Sequence, residues 1–126
     1  MENKWKNQNF FNALKNALNG IIYTIKTQRN IKIQFCFAVI AIIFGFLFKL
    51  SNIEWIILIT TIFMVFITEL LNTALETVVD LYTQEYNEKA KIAKDVSAGA
   101  VLLMSICSVI VGVLVFGTKI LGIMLK

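Results

Sequence analysis

The chain contains an apolar segment, Trp55-Ile-Ile-Leu-Ile-Thr-Thr-Ile-Phe-Met-Val-Phe-Ile67, that leads directly into a mixed one, Thr68-Glu-Leu-Leu-Asn-Thr-Ala-Leu-Glu-Thr-Val-Val-Asp80. The mixed segment carries Glu69, Asn72, Glu76 and Asp80, which we call the polar stripe. Their offsets of three and four residues place all four on one face of a helix. Ionisable groups on a membrane helix are costly and face protein or water, so the polar stripe is the predicted functional site.

The composition of the whole chain is that of a membrane protein. Of its 126 residues 58% are hydrophobic and 16% are charged, and the mean hydropathy is +0.76. Soluble domains are only about half apolar. The length suits one domain, and no proline or glycine-rich segment marks a linker, so residues 1–126 are predicted to form a single domain.

Several classes of function are excluded or disfavoured by composition. Histidine is absent, which removes histidine-based catalysis and imidazole zinc sites. Cys36 and Cys107 lie inside apolar segments, which predicts small buried side chains rather than a disulfide or a metal pair. The net charge of +4 resides mainly beside apolar segments, which indicates anionic lipid headgroups rather than nucleic acid as its partner.

Three apolar segments lie at about residues 33–48, 53–79 and 96–116; the first is somewhat shorter than the roughly 20 residues that cross a bilayer, and the other two reach that length. On length alone the first could be a buried helix of a soluble protein. Three such segments in 126 residues, however, leave too little polar sequence to cover the surface of a soluble protein. Apolar residues recur at helical spacing ahead of the first segment: Phe10, Phe11, Leu14, Ala17, Leu18, Ile21, Ile22 and Ile25. The predicted fold is an all-α integral membrane protein with three transmembrane helices and an amphipathic interfacial helix.

The distribution of cations predicts the orientation in the membrane. One side would carry Lys4, Lys6, Lys15, Lys26, Arg29, Lys32, Lys89, Lys91 and Lys94, and the other only Lys49, Lys119 and Lys126. Lysine and arginine accumulate on the cytoplasmic side of membrane proteins. The amino terminus, the polar stripe and the loop at residues 81–95 are therefore predicted to be cytoplasmic.

The chemistry available at this site suits phosphoryl transfer, which needs positioning and charge stabilisation more than covalent chemistry. Carboxylate oxygens are ligands that Mg²⁺ prefers, and a lysine neutralises phosphate charge. Glu69, the deepest carboxylate, is a candidate general base toward a hydroxyl. We expect a turn near residues 83–87 and a third helix that continues back to Glu88, so that Lys94 and Asp95 meet the end of the second. No glycine-rich phosphate loop is present.

Structural roles are available for the same residues. Glu76 and Asp80 could pair with Lys89 or Lys91 at the surface, and Asn72 could bond across helices. Lys94 could be a topology anchor, and Asp95 could cap or open the third span. From these residues alone, three functions remain possible: a kinase, an ion pathway and an assembly factor.

Two blocks of the sequence resemble a known family. They are Glu69-Leu-Leu-Asn72-Thr-Ala-Leu-Glu76-Thr-Val-Val-Asp80 and Ala93-Lys94-Asp95-Val-Ser-Ala98-Gly-Ala-Val101. They resemble the small trimeric prokaryotic diacylglycerol kinases and their Gram-positive relatives, the undecaprenol kinases. The resemblance covers essentially the whole chain, and the segments at residues 27–30 and 53–55 look more like the Gram-positive branch.

This resemblance implies an ATP-dependent kinase that phosphorylates a lipid alcohol at the cytoplasmic face of a bacterial plasma membrane. It implies a homotrimer with active sites shared between subunits. Glu69 would accept the proton of the lipid hydroxyl, with Ala98 beside the lipid. Glu76 would bind Mg²⁺ with the nucleotide phosphates, supported by Asn72. The residues implied in ATP binding are Glu85, Tyr86, Asn87, Lys94 and Asp95. Undecaprenol is favoured over diacylglycerol on branch likeness.

Three positions depart from the family pattern. Gln28 stands where the family usually has a glutamate that is a second metal ligand, so Gln28 would bind Mg²⁺ without charge and more weakly. Asn87 replaces a frequent histidine, and Gln34 a frequent histidine or glutamate. These departures keep a catalytically weakened scaffold as an alternative. A second alternative is a proton or cation pathway. Against it, only threonines are polar in the outer part of the second span, so no charged groups continue the pathway there.

Overall fold

The computed structural model describes residues 9–126, which fold into four α-helices. They are α1 (Phe10–Thr27), α2 (Arg29–Leu47), α3 (Asn52–Tyr82) and α4 (Glu88–Met124). The last three are each long and apolar enough to cross a membrane. The prediction of an all-α membrane protein with three spans and a preceding amphipathic helix is therefore confirmed. Lys4 and Lys6, two of the predicted cytoplasmic cations, lie outside the described residues.

The helices α3 and α4 extend beyond their apolar segments into polar sequence. Residues 83–87 join the two helices, as the sequence predicted. We call the side of the bundle that carries these residues, the end of α3 and the first turns of α4 the loop end. Asn87 begins α4 as its N-cap, because its Oδ1 accepts the backbone N–H of Ala90 at 3.1 Å. Asp95 lies about two turns inside α4, so the interpretation of Asp95 as an N-cap or first-turn residue is wrong.

Gln28 is the joint between α1 and α2. Its backbone is extended, with φ −99° and ψ 121°, and its N–H donates to the carbonyl of Thr24 at 2.9 Å to close α1. Its side chain does not cap α2. One residue therefore redirects the chain from the amphipathic helix into the first span.

A tight turn at residues 48–51, which we call the turn end, connects α2 to α3. Lys49 adopts the left-handed conformation with φ 52°, and the N–H of Leu50 donates to the carbonyl of Gly45 at 3.1 Å. This pattern is a Schellman motif, which ends a helix without proline. Ser51 then caps α3 in a reciprocal capping box with Glu54, since each side chain bonds the other's backbone N–H.

The antiparallel pair of α3 and α4 forms the main packing contact of the chain, with α2 lying on α3 and α1 touching α2 and α3. Leu50, Leu58 and Val115 form a small buried cluster near the turn end. Most other large apolar side chains are exposed, as expected where lipid takes the place of water. Cys36 and Cys107 are free but exposed, so the prediction that they are buried is wrong.

Gly45 gives the first testable prediction. A Cβ added at Gly45 would lie 2.5 Å from Cη2 of Trp55, whose ring also stacks on Phe46 at 4.8 Å. Overpacking of this kind costs about 1–3 kcal/mol, so we expect Gly45→Ala to lower the free energy of unfolding by that amount. Denaturation in mixed detergent micelles measures it. Gly117→Ala is the matched control, because a Cβ there meets nothing within 4 Å; an equal loss in both variants would contradict the packing argument.

Candidate functional site

Glu69 is the most buried side chain of its size in the described residues, with 1% of its surface exposed. Gln34 of α2 donates its Nε2 to Oε2 of Glu69 at 3.3 Å. Thr73 donates its hydroxyl to the backbone carbonyl of Glu69 at 2.9 Å. The other carboxylate oxygen, Oε1, is buried and has no hydrogen-bond partner within residues 9–126. One oxygen is therefore held in place, while the other is buried and lacks a hydrogen-bond donor among the described residues.

Asn72 and Glu76 form the second part of the polar stripe. The Nδ2 of Asn72 donates to Oε1 of Glu76 at 3.2 Å, so the amide bonds along its own helix and not across helices. The Oδ1 of Asn72 is buried and unpartnered among the residues described. Buried oxygens without a donor are rare in folded proteins and need an explanation, such as a ligand or an ion.

Two ion pairs lie beyond Glu76 at the loop end. Lys94 Nζ lies 2.6 Å from Oδ1 of Asp80 and joins α4 to α3. Lys94 was expected to meet the end of the second span, and this contact agrees with that expectation. Asp95 instead pairs with Lys91 on its own helix. Both pairs are about half exposed, so their contribution to stability is at most about 1 kcal/mol each. Their charges remain accessible to a soluble ligand.

The position of the polar stripe along α3 separates its members by depth. A helix rises about 1.5 Å per residue, so Glu69 lies roughly 26 Å and Asp80 roughly 42 Å from Asn52. The hydrocarbon core of a bilayer is about 30 Å thick. With Asn52 at one boundary, Glu69 would lie just inside the other boundary and Asp80 about 12 Å beyond it, at the aqueous side of the headgroups. The stripe therefore connects lipid to water.

A second ion pair between α3 and α4, at the opposite end of the two helices, keeps them in register. Lys119 of α4 lies 2.9 Å from Oε2 of Glu54 near the turn end, and both side chains are mostly buried. The Glu54–Lys119 and Asp80–Lys94 pairs are separated by nearly the same length of helix on α3 and α4, roughly 38 Å. This match explains how Lys94 comes to rest beside the polar stripe.

The remaining predicted site residues lie around this centre. Glu85 and Tyr86 are exposed in the loop, and Tyr86 has 83% of its surface accessible. Asn87 uses its Oδ1 to cap α4, which leaves only its amide N–H groups for a ligand. Gln28 makes no side-chain hydrogen bond to another described residue at its joint between α1 and α2. Ala98 lines an apolar groove together with Gln34.

This groove, the three-helix groove, runs between α2, α3 and α4 and has a volume of about 640 Å³. Gln34 connects this groove to Glu69, whereas the sequence marked Gln34 only as a departure from the family pattern. A signal was present, because Gln34 is the single amide in the apolar segment at residues 33–48. Only the packing of α2 on α3 identifies Glu69 as its partner.

The residues present fit a magnesium ion that arrives with phosphate rather than one held by protein alone. Within the described range, no three acidic or cysteine side chains gather into a metal site. Mg²⁺ is usually bound by one or two carboxylates together with substrate phosphates. The carboxylate of Glu76 and the unpartnered amide oxygen of Asn72 would make such a partial set of ligands.

Comparison with known proteins finds relatives in one family. Residues 15–116 match the family described as prokaryotic diacylglycerol kinase. The chain is 44% identical to an undecaprenol kinase of Bacillus subtilis, over 87% of this chain and 89% of that protein. It is 46% identical to a diacylglycerol kinase of Synechocystis, over 88% of this chain and 65% of that protein. It is 37% identical to a diacylglycerol kinase of Escherichia coli, over 56% of this chain and 58% of that protein.

Proposed function

Because the chain belongs to the prokaryotic diacylglycerol kinase family, and is thus a membrane lipid kinase, we propose that it converts undecaprenol to undecaprenyl phosphate with ATP. The reaction takes place at the cytoplasmic face of a bacterial plasma membrane. The observation that carries the proposal is the buried Glu69, which has one carboxylate oxygen held by Gln34 and the other unpartnered at the hydrocarbon boundary.

Glu69 acts as the general base. The lipid hydroxyl donates a hydrogen bond to Oε1 of Glu69, and Glu69 takes the proton as the alcohol oxygen attacks the γ-phosphorus of ATP. The bond from that phosphorus to its bridging oxygen breaks and ADP leaves, and Glu69 loses the proton to bulk solvent once the products have been released. Gln34 keeps Oε2 of Glu69 engaged, so that Oε1 faces the incoming alcohol.

The loop end binds the nucleotide. Lys94 projects from α4 beside Asp80 and places a positive charge where phosphates approach the polar stripe. Asp95 holds Lys91 at the same level and borders the nucleotide site. Glu85, Tyr86 and the amide N–H groups of Asn87 contact the nucleoside from the loop.

Glu76 and Asn72 would hold the magnesium ion that accompanies the phosphates, with Gln28 as a further neutral ligand. The metal supplies neutralisation of phosphate charge during transfer. The hydrogen bond from Asn72 to Glu76 fixes the carboxylate for this role, because it restricts rotation of the Glu76 side chain.

The active enzyme is a homotrimer whose subunits share active sites. Asn72 and Glu69 both keep buried oxygens without a partner among residues 9–126, and α2 to α4 expose most of their large apolar side chains. Three helices surround a polar stripe incompletely, and neighbouring subunits complete the shield against lipid.

Undecaprenol is preferred to diacylglycerol as substrate. The relative named undecaprenol kinase matches nearly equal shares of both chains, whereas the Escherichia coli diacylglycerol kinase matches little more than half of each. Purified protein in detergent, supplied with ATP and Mg²⁺, is to be assayed with each lipid for phosphorylated product. We expect kcat/KM for undecaprenol to exceed that for diacylglycerol; turnover of diacylglycerol alone would contradict the assignment.

Gln28→Glu tests the metal site. A carboxylate binds Mg²⁺ more strongly than a neutral amide oxygen, so we expect the Mg²⁺ concentration for half-maximal activity to fall about tenfold. The measurement is a Mg²⁺ titration of activity at saturating ATP and lipid. Gln84→Glu, an exposed change in the loop, controls for added negative charge. An unchanged Mg²⁺ requirement in Gln28→Glu would mean that Gln28 does not approach the metal.

A further inference from the structure

Glu54 and Lys119 form a joint at the turn end that no step of the proposed reaction uses. Oε2 of Glu54 accepts the backbone N–H of Ser51 at 2.7 Å and lies 2.9 Å from Nζ of Lys119. The same carboxylate oxygen therefore completes the capping box that begins α3 and holds α4 near its end. Only 23% of the Glu54 side chain and 29% of the Lys119 side chain are exposed.

This joint is the better shielded of the two ion pairs that connect α3 to α4 in the described part of the chain. The other pair, Asp80 and Lys94, has 54% and 41% of its side chains exposed. An ion pair in water contributes little to stability, whereas removing one partner of a shielded pair leaves a charge without compensation. In hydrocarbon this penalty is greater. The Glu54–Lys119 pair is therefore the stronger of the two constraints on the position of α4.

The apolar contacts beside the joint do not fix the rotation of α4 by themselves. Leu50, Leu58 and Val115 form the buried cluster at this end of the bundle. Burial of apolar area is non-directional, and a similar area stays buried when a helix turns slightly about its axis. The ion pair is directional, because its two charged groups must stay within hydrogen-bond reach. The pair thus selects one rotation among those that the apolar contacts allow.

Lys94 and Lys119 project from the same face of α4. They lie roughly seven turns apart, at about 3.6 residues per turn, so the two side chains leave the helix in nearly the same direction. A helix that is held only at one end can still turn about its axis, whereas a helix held at both ends of one face cannot. The connection at residues 83–87 limits sliding more than rotation, because it joins the two helices at one end only.

We propose that Glu54 and Lys119 are positioning residues for the nucleotide site, because their pair fixes the rotation of α4 and so keeps Lys94 beside the polar stripe. This inference rests on the proposed function, since it takes Lys94 as the lysine that meets the nucleotide phosphates. Lys94 shares its charge between Asp80 and the phosphates once ATP is bound, which weakens the exposed pair. The joint at the turn end lies far from the nucleotide and maintains the alignment of α4 during transfer.

A double variant, Glu54→Gln with Lys119→Met, removes the ion pair without leaving an unpaired charge. Glutamine keeps the capping box with Ser51, and neutral replacements of both partners of a shielded pair are well tolerated, so the variant should fold. We expect kcat/KM for ATP at saturating undecaprenol to fall at least about tenfold, since a small misplacement caused far from the chemistry can cost about 10²-fold. Two controls should stay within about twofold of the parent: Lys119→Arg, which keeps the pair, and Lys126→Met, which removes an exposed charge at the same end.

A second background separates positioning from general stability. In a chain that already carries Lys94→Met, the same double change should cost at most about twofold in kcat/KM for ATP, because no charge is left to position. A pair that only stabilised the fold would lower activity equally in both backgrounds. Equal losses in the two backgrounds, or unchanged ATP kinetics in the double variant, would overturn the proposal.

Electron paramagnetic resonance provides a readout that does not depend on activity. Spin labels on cysteines at Leu81 of α3 and Val96 of α4, both exposed, report the rotation of α4 once Cys36 and Cys107 are replaced by serine. With labelled chains diluted in unlabelled ones, we expect a narrow distance distribution in the parent and a broader or shifted one in the double variant. An unchanged distribution would overturn the proposal. Absence of phosphorylation by the unmodified protein would instead refute the proposed function, and the distances would still decide whether the joint sets the rotation of α4.

Discussion

Glu69→Gln is expected to lower kcat about 10³-fold while the protein remains folded. The substitution preserves the size of the side chain and removes its capacity to accept the hydroxyl proton, and general-base catalysis contributes about 10²–10⁴ to a rate. Burial makes the effect large, because no water can take over the role of a side chain that is 1% exposed. Steady-state kinetics with undecaprenol at saturating ATP and Mg²⁺ measure it.

The controls separate loss of the base from loss of structure. Glu88→Gln changes an exposed carboxylate in the first turn of α4 and should retain kcat within about twofold. Helical content and elution volume of Glu69→Gln should match those of the unmodified protein. Turnover in Glu69→Gln close to that of the parent would exclude Glu69 as the base. Negligible turnover of the parent itself would favour the weakened scaffold over the active kinase.

Lys94→Met is expected to reduce kcat/KM for ATP about 10²-fold. The variant keeps an unbranched side chain of similar length and removes the charge that Lys94 presents beside Asp80, and removal of one stabilising group at a transferring phosphoryl centre has about this effect. Because the Lys94–Asp80 pair is about half exposed, its loss changes stability by at most about 1 kcal/mol. Unfolding therefore cannot account for the expected loss.

Lys89→Met is the matched control for Lys94→Met. Lys89 lies in the first turn of α4 and is exposed, with no ion pair within the described residues. Its replacement should leave KM for ATP within about twofold, since the charge of a solvated side chain is screened by salt. If both variants lost activity equally, the general positive charge of the loop end would matter, and the specific position of Lys94 would not.

Much of the fold could be predicted because its signals are local. The spacing of apolar residues in the segment at residues 10–25 predicts α1, and the length of three apolar segments predicts the spans. The start of α4 at Glu88 agrees with the prediction, whereas its end at Met124 lies well beyond the apolar segment at 96–116. Nothing in the polar flanks breaks a helix, and a helix continues until a cap stops it.

The sequence predicted which residue types line the candidate site, but it predicted only some of the contacts between them. Alignment of Glu69, Asn72 and Glu76 follows from helical spacing alone, and the hydrogen bond from Asn72 to Glu76 is a contact between residues four apart. The exposure of the two cysteines could not be predicted, because an apolar side chain in a span faces protein or lipid according to how the helices pack.

The amino-acid sequence by itself determined the number and type of helices, the amphipathic leader, and the line of acidic and amide groups at one end of α3. These depend on helical periodicity and on the cost of polar groups in hydrocarbon, which act within a single segment. Tertiary structure alone decided that Gln34 bonds Glu69, that Lys94 pairs with Asp80, and that α2, α3 and α4 enclose a groove. Those contacts join residues far apart in the chain, and the relative rotation and register of packed helices set them.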